Sequence, residues 1–213
     1  MLNTDLFVIK LLGEIIIIRR SIKMIRGALI SGGTSSRMDG NDKGLLTHKG
    51  SSFAKIAYNK MTAQCDDVII SGKHNYDLPC DHVTDQFDEA LGPLAGLISI
   101  LNWNKKQDQA AQWIATCPID CPLMPNDYVE KLLKANGPAV LHDGERMQPL
   151  FAIWPKNTIY LLEEAFYQDG LRSMMEWVMM AGASIVSYPS INAYTNINTK
   201  EDYVRFTNAY DNK

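Results

Sequence analysis

The chain has 213 residues, of which 46% are hydrophobic and 21% charged, and its formal net charge is −3. This composition is that of a globular protein with a buried core, and the negative charge argues against a protein that binds nucleic acid by neutralising phosphates. The spacing of the four cysteines, Cys65, Cys80, Cys117 and Cys121, excludes a zinc ribbon and a Cys-x-x-Cys redox pair. We therefore expect reduced thiols in a cytoplasmic protein.

The first 23 residues are predicted to be an appendage of uncertain structure. Charged residues interrupt this apolar segment at Lys10, Glu14, Arg19 and Arg20. No uncharged run reaches the roughly 18–20 residues of a membrane-spanning helix, and the positive charges follow the apolar run instead of preceding it as in a signal peptide. The alternative is an extra edge strand over residues 14–19. Because Met24 stands just before the first clear strand, we divide the chain into residues 1–23 and 24–213.

From Met24 onward, short apolar runs alternate with longer helical stretches. Strands are predicted at residues 27–31, 68–71, 82–84, 112–116, 139–142, 150–154 and 184–187. Helices are predicted from Ser51 or Ser52 to about 65, from Gly92-Pro93 to 102, from Asn126 or Asp127 to about 135, at 158–167, at 171–181, and from Thr199 to about 209. This alternation is typical of an α/β protein whose mainly parallel sheet is covered on both faces. Such sheets bind ligands beyond the carboxyl ends of their strands.

The loop after the first of these strands begins with Gly32-Gly33 and contains Arg37 and Lys43. Paired glycines allow backbone N–H groups to approach a triphosphate closely, and the two cations supply the charge that a polyphosphate requires. The loop has neither the Walker A pattern nor the Gly-x-Gly-x-x-Gly of a dinucleotide site. A surface loop with two solvated cations is the alternative, but its position directly after an apolar strand favours phosphate binding.

Two further motifs follow predicted strands. Asp120 stands between Pro118 and Pro122 after the strand at 112–116, where its carboxylate is well placed to bind Mg²⁺. A simple turn residue is the alternative. Gly92 and Gly96 stand at the start of a predicted helix, where backbone amides can meet a ligand. Equally, these glycines fit a capped helix with one packing glycine.

Together, these motifs resemble the molybdenum cofactor guanylyltransferase family. The matching segments are Ile30-Ser31-Gly32-Gly33, Arg37-Met38, Asp42-Lys43-Gly44, Gly92-Pro93-Leu94-Ala95-Gly96, Cys117-Pro118-Ile119-Asp120, Gln148-Pro149-Leu150 and Asn196-Ile197-Asn198-Thr199. They extend over about residues 26–206. The resemblance implies a Rossmann-like three-layer α/β sandwich of the nucleotide-diphospho-sugar-transferase type. It also implies an Mg²⁺-dependent enzyme that transfers GMP from GTP to the phosphate of molybdopterin and releases pyrophosphate, so residues 24–213 would be its nucleotidyltransferase domain.

The resemblance also implies roles for individual residues. GTP would be bound by Ile30, Gly32, Gly33, Lys43, Asp85, Gly92, Gly96 and Asp120. Catalysis would depend on Arg37, Lys43 and Asp120, with Asp120 also holding the metal. The acceptor would be bound by Arg146, Gln148, Asn196 and Asn198, although Arg146 could instead be an ordinary exposed hairpin charge. The sequence departs from the family at Ser31 (usually Ala), Asp39 (often Gly), Ser71 (Asn in some members) and Lys200 (usually Pro).

Three alternatives to this function stay open at this level. One is a related cytidylyltransferase, another a sugar-phosphate nucleotidyltransferase, and the third a non-catalytic nucleotide-binding cofactor carrier. The expected partners are the two substrates, with transient contacts to molybdenum-insertion proteins and recipient molybdoenzymes, and neither nucleic acid nor membrane. The methionines at 174, 175, 179 and 180 have helical spacing, which predicts that they pack in the core.

Overall fold

The computed structural model describes residues 6–11, 14–19, 24–31, 42–84, 92–189, 197 and 200–210, with backbone alone for 6–11, 14–19, 200, 205, 209 and 210. Its strands are β1 (Leu6–Leu11), β2 (Glu14–Arg19), β3 (Ile25–Ile30), β4 (Thr47–His48), β5 (Ser51–Ser52), β6 (Asp67–Ser71), β7 (Asp81–Val83), β8 (Trp113–Pro118), β9 (Ala139–His142), β10 (Met147–Pro155) and β11 (Ser184–Ser187). Its α-helices are α1 (Phe53–Thr62), α2 (Pro93–Lys105), α3 (Tyr128–Leu133), α4 (Thr158–Tyr167), α5 (Met174–Met180) and α6 (Lys200–Tyr210), and a 3-10 turn covers Lys43–Leu45.

Seven strands form the central sheet in the order β11-β9-β10-β8-β3-β6-β7. All adjacent pairs are parallel except the two that involve β10, which is antiparallel to both β8 and β9. The predicted, mainly parallel sheet is therefore confirmed. β1 and β2 pair only with each other in a separate antiparallel sheet, so residues 14–19 do form a strand, but not an edge strand of the central sheet.

Helices cover both faces of this sheet, because side chains of its central strands point alternately to two apolar cores. On β3, Ala28 and Ile30 belong to one core and Leu29 to the other. The first core also takes residues from α2, α4 and α5, and the second takes residues from α1 and α3. The predicted three-layer sandwich is confirmed. Among the described residues, no helix is long and apolar enough to cross a membrane.

Local capping explains where the helices begin. The hydroxyl of Ser52 accepts a hydrogen bond from Lys55 N at the start of α1, and that of Ser173 accepts one from Glu176 N at the start of α5. The predicted start of the latter helix at residue 171 is therefore three residues early. Thr199, the predicted cap of α6, lies outside the described residues.

The prediction that all four methionines of α5 lie in the core is wrong for three of them. Met174 is 7% exposed, but Met175, Met179 and Met180 are 38%, 67% and 46% exposed. The face of α5 that meets the sheet carries Met174, Trp177 and Val178, the i, i+3, i+4 spacing of one helix face. The other methionines project from the opposite face.

Candidate active site

The candidate site lies at the edge of the central sheet where the strands that run parallel to β3 end. β3 is flanked by β6 on one side and by β8 on the other. After β3 the chain therefore adds β6 and β7 on one side of β3, and then crosses over to add β8 on the opposite side. This reversal opens a crevice beyond the carboxyl ends of β3 and β8, the usual ligand site of an open α/β sheet. Lys43 follows β3 and Asp120 follows β8. The expected placement of Asp120 at a strand end is therefore confirmed.

Lys43 and Asp120 meet across this crevice. The ammonium Nζ of Lys43 donates a hydrogen bond to Oδ2 of Asp120 at 3.1 Å. Their side chains are 20% and 16% exposed, so the ion pair is shielded yet still reachable from solvent. Ile119 N donates to Ile30 O at 3.2 Å, which ties the turn that carries Asp120 to the end of β3.

The turn that carries Lys43 is held by two residues to which the sequence motifs assigned no role. Asp42 Oδ1 accepts a hydrogen bond from Gly44 N at 2.9 Å. The hydroxyl of Tyr76 lies 2.8 Å from both carboxylate oxygens of Asp42. Tyr76 follows β6, the strand next to β3, and that position at the same sheet edge is the signal that could have identified it.

A tight junction joins the ends of β3 and β6. Ser31 donates from both its backbone N and its hydroxyl to Ser71 O, each at 2.9 Å. Gly72 has φ +137°, and a Cβ added there would overlap the hydroxyl of Ser31. The hydroxyl of Ser31 therefore occupies the space that a side chain at position 72 would need.

The two glycines of the third motif have different environments. A Cβ on Gly96 would lie 3.1 Å from Ser71 Oγ and 3.4 Å from a methyl group of Ile30, so Gly96 brings α2 close to the ends of β3 and β6. Gly92 precedes α2 with φ +78° and has open space around it. These contacts match the alternative of a capped helix with a packing glycine, while a direct role of either glycine in GTP binding stays a prediction. Ile30 is 2% exposed, and its role in GTP binding is likewise untested.

The β9–β10 hairpin turns at the same sheet edge, because β9 ends there and β10 begins there. Asp143 organises the turn: its Oδ1 accepts from Glu145 N and Arg146 N, both at 2.8 Å, and its Oδ2 accepts from Gln148 Nε2 at 2.6 Å. Burial raises the pKa of Asp143, but these hydrogen bonds and the charge of Arg146 outweigh it and leave the pKa below its usual value. Gln148 is buried, whereas the Arg146 side chain is 75% exposed.

Several predicted site residues lie outside the described residues. They are Gly32, Gly33, Arg37, Asp85, Asn196 and Asn198. Ile197, between the two asparagines, is described: it is fully buried and belongs to a small apolar cluster with Phe53 and Phe206. Ile197, within the predicted acceptor segment, therefore packs against the first residue of α1 and against α6.

The surroundings of Asp120 permit one kind of metal site. No group of three or more His, Cys, Asp or Glu side chains that could hold a metal occurs among the described residues. Cys117 and Cys121 are buried near Asp120, and burial raises the pKa of both thiols well above the ordinary value, so they remain neutral. The carboxylate of Asp120 is a donor of the kind that a hard cation such as Mg²⁺ prefers, so this residue fits such an ion.

Comparisons with known proteins give a consistent match. The family model of the MobA-like NTP transferase domain matches residues 27–183. A molybdenum cofactor guanylyltransferase of Shewanella frigidimarina is 34% identical over 187 residues, which are 83% of this chain and 92% of the relative.

Among solved structures, the molybdopterin-guanine dinucleotide biosynthesis protein A of Archaeoglobus fulgidus superposes with a TM-score of 0.68 at 18% identity, covering 88% of this chain and all of that one. A Mycobacterium tuberculosis protein solved in complex with manganese superposes with a TM-score of 0.61 at 13% identity, covering 87% of this chain and 99% of that one. At these identities the two structures establish the fold alone.

Proposed function

This chain belongs to the family of MobA-like NTP transferases and is a nucleotidyltransferase of molybdenum cofactor guanylylation, and on that premise we propose that it transfers GMP from GTP to the phosphate of molybdopterin. The products would be the molybdopterin guanine dinucleotide cofactor and pyrophosphate. The transfer would require Mg²⁺, for which the carboxylate of Asp120 is a suitable ligand.

The single observation that carries this proposal is the ion pair of Lys43 and Asp120 at the crevice beyond β3 and β8. In the sheet order, β8 separates two groups of strands. β3, β6 and β7, which precede most of the proposed nucleotide residues in the chain, lie on one side of β8. The hairpin with Arg146 and Gln148 joins β9 to β10, on the other side. Asp120 lies between these groups, where a bond from acceptor to nucleotide would form.

The proposed reaction is an in-line displacement. A phosphate oxygen of the acceptor attacks the α-phosphorus of GTP, and the bond from that phosphorus to the bridging oxygen breaks as pyrophosphate leaves. The acceptor is already an anion, so no covalent enzyme intermediate is needed, and repulsion between two anions opposes the reaction. The protein therefore positions the substrates and offsets their charge.

Lys43 and Asp120 divide this task. The ammonium of Lys43, which contacts Asp120 in this structure, would bind phosphate oxygens of the entering triphosphate. Asp120 would hold Mg²⁺, and the charge of that ion would help to offset the negative charge of the triphosphate. Arg37, from the same loop as Lys43, is proposed as a further cation. Arg146 and Gln148 are proposed to bind the acceptor together with Asn196 and Asn198.

The choice of GTP over CTP is part of the proposal. Gly33 has no side chain, which would leave room for a purine, and pairing with the guanine edge would discriminate against other bases, since the wrong base leaves polar groups unpaired. Cytoplasmic location and contacts with molybdenum-insertion proteins and recipient molybdoenzymes stay predictions.

Pyrophosphate release from each of the four nucleoside triphosphates, measured with purified protein, Mg²⁺ and molybdopterin, tests this function. GTP is expected to exceed CTP by about 10²-fold in kcat/KM. Equal use of CTP would place the chain with the cytidylyltransferases. Nucleotide binding without any pyrophosphate release would favour the cofactor carrier. A reaction without molybdopterin serves as the blank for pyrophosphate that contaminating activity releases.

A further inference from the structure

We propose that Tyr76 and Asp42 are positioning residues that hold Lys43 in place for nucleotidyl transfer. The proposal rests on the proposed function, because it takes the role of Lys43 from there. Neither residue is itself placed at the reacting atoms. They act on the backbone that carries Lys43, and the contacts described above run from β6 through the 3-10 turn to Asp120.

The first part of this connection is a hydrogen-bond network around Asp42. The hydroxyl of Tyr76 lies 2.8 Å from Oδ1 and 2.8 Å from Oδ2 of Asp42, so it bridges the carboxylate. Oδ1 also accepts from Gly44 N at 2.9 Å. Lys43 stands between Asp42 and Gly44 in the chain, and the backbone is therefore held on both sides of it. This leaves its side chain aimed at Asp120.

The second part is a close contact between Gly44 and the ring of Tyr76. A Cβ added to Gly44 would overlap this ring, lying 2.7 Å from Cζ and 3.1 Å from Cδ1. The ring therefore packs directly on the backbone of the residue that follows Lys43. Any side chain at position 44 would push the turn and the ring apart.

The tyrosine remains a hydrogen-bond donor at neutral pH. Burial, together with the hydrogen bond to Asp42 and the negative charge of that carboxylate, raises the pKa of Tyr76 well above its ordinary value, while a hydrogen bond with Ser31 acts in the opposite direction. A neutral phenol can hold Asp42 without adding a charge to a crevice that must accept a triphosphate. His74 Nε2 lies 3.8 Å from Asp42 Oδ2, too far for a hydrogen bond.

The decisive test is a double-mutant cycle between Tyr76→Phe and Lys43→Ala, read out as pyrophosphate release from GTP and molybdopterin. Phenylalanine keeps the ring against Gly44 and removes only the hydroxyl. We expect Tyr76→Phe to lower kcat about tenfold, the scale of one hydrogen bond to a charged group. In the Lys43→Ala background, the same change is expected to lower kcat no further, because its effect passes through Lys43.

Tyr188→Phe is the matched control, since the hydroxyl of Tyr188 also donates to a carboxylate, Asp127 Oδ1, at 2.6 Å. Tyr188 follows β11 and Asp127 precedes α3, so this pair lies on elements other than the turn that carries Lys43. A loss of stability alone would appear as a lower unfolding midpoint, without a change in kcat at temperatures well below that midpoint. Unchanged kcat in Tyr76→Phe, or an equal loss in the Lys43→Ala background, would overturn the proposal.

A second variant tests the contact between Gly44 and Tyr76, and a binding measurement distinguishes failure of the positioning proposal from failure of the proposed function. Gly44→Ala should also lower kcat, because the added Cβ would overlap the ring of Tyr76 and displace the turn that carries Lys43. If the wild-type protein releases no pyrophosphate, the proposed function is wrong. The positioning proposal is then judged by Mg²⁺–GTP affinity in calorimetry, where Tyr76→Phe must weaken binding in the presence of Lys43 and have no effect in Lys43→Ala; any other result rejects it.

Discussion

The ammonium of Lys43 and the carboxylate of Asp120 lie 3.1 Å apart, although 77 residues separate them in the chain. They meet because β3 and β8 are neighbours in the sheet, and each residue follows one of these strands. The pair joins a proposed phosphate-binding cation to a proposed metal-binding carboxylate.

Asp120→Asn should abolish turnover while leaving the fold intact. The amide keeps the shape of the side chain but removes the charge that binds the cation and pairs with Lys43. Losing several kcal/mol of transition-state stabilisation should lower kcat by about 10³-fold. Pyrophosphate release and circular dichroism would measure activity and fold, and Asp127→Asn, on another element of the protein, is the control. Near-normal release from folded Asp120→Asn protein would refute the assignment.

Lys43→Ala should reduce kcat more than it raises KM for GTP. The reason is that a contact that tightens as charge shifts in the transition state contributes mainly to kcat. Lys43→Arg keeps the charge but not the compact ammonium, and is expected to recover part of the rate. Steady-state kinetics over a range of GTP concentrations would separate the two parameters. If KM alone rises, Lys43 is a docking residue and its proposed catalytic role is wrong.

Gly72→Ala should destabilise the protein by about 2 kcal/mol or more, because it combines backbone strain at φ +137° with overlap onto Ser31. Gly50→Ala separates the two effects: Gly50 also has positive φ, +78°, but open space around it, so its substitution should cost only about 1 kcal/mol. Adding Ser31→Ala to Gly72→Ala should recover the part that is due to overlap. Urea unfolding of the four proteins measures this, and equal losses at positions 72 and 50 would contradict it.

Asp143→Asn should lower stability in a pH-dependent way. The pKa of Asp143 is lowered in the folded protein, so the folded state binds fewer protons there than the unfolded state. The stabilisation from the ionised carboxylate is therefore fully present above the unfolded-state pKa and is lost as the pH falls through the lower, folded-state pKa.

The difference in unfolding free energy between wild type and Asp143→Asn should thus be constant at neutral pH and shrink below about pH 4, the ordinary pKa of an aspartate. Urea unfolding at several pH values would measure it, with Asp108→Asn, a carboxylate on the loop between α2 and β8, as the control. A difference that persists unchanged into acid would show that the charge of Asp143 does not stabilise the turn.

A chain that begins at Met24 should fold and be active. Every residue proposed for the site follows Met24, and β1 and β2 pair with each other instead of with the central sheet. The truncated and full-length proteins would be compared in unfolding midpoint, oligomeric state and pyrophosphate release. Loss of activity or solubility in the shorter chain would show that residues 1–23 are required for the fold, the activity or the assembly of the protein.

Much of this protein could be predicted from its sequence because the relevant signals are local. The apolar runs and capping residues determined which segments become strands and helices, and their alternation indicated a mainly parallel sheet. Asp120 could be located at a strand end because it directly follows a buried run and stands between two prolines. By contrast, the spacing of the methionines in α5 predicted a helix. It did not indicate that, of the four, only Met174 would be buried in the core.

The order of the strands was decided only by tertiary packing, and with it the contacts that join distant segments. Nothing near Lys43 in the sequence indicates that its partner is Asp120, since that contact exists only because β3 lies beside β8. The bridge from Tyr76 to Asp42 depends in the same way on β6 lying on the other side of β3. Local patterns record whether a residue is buried, but not which buried neighbour it meets, because neighbours are set by how whole elements pack together.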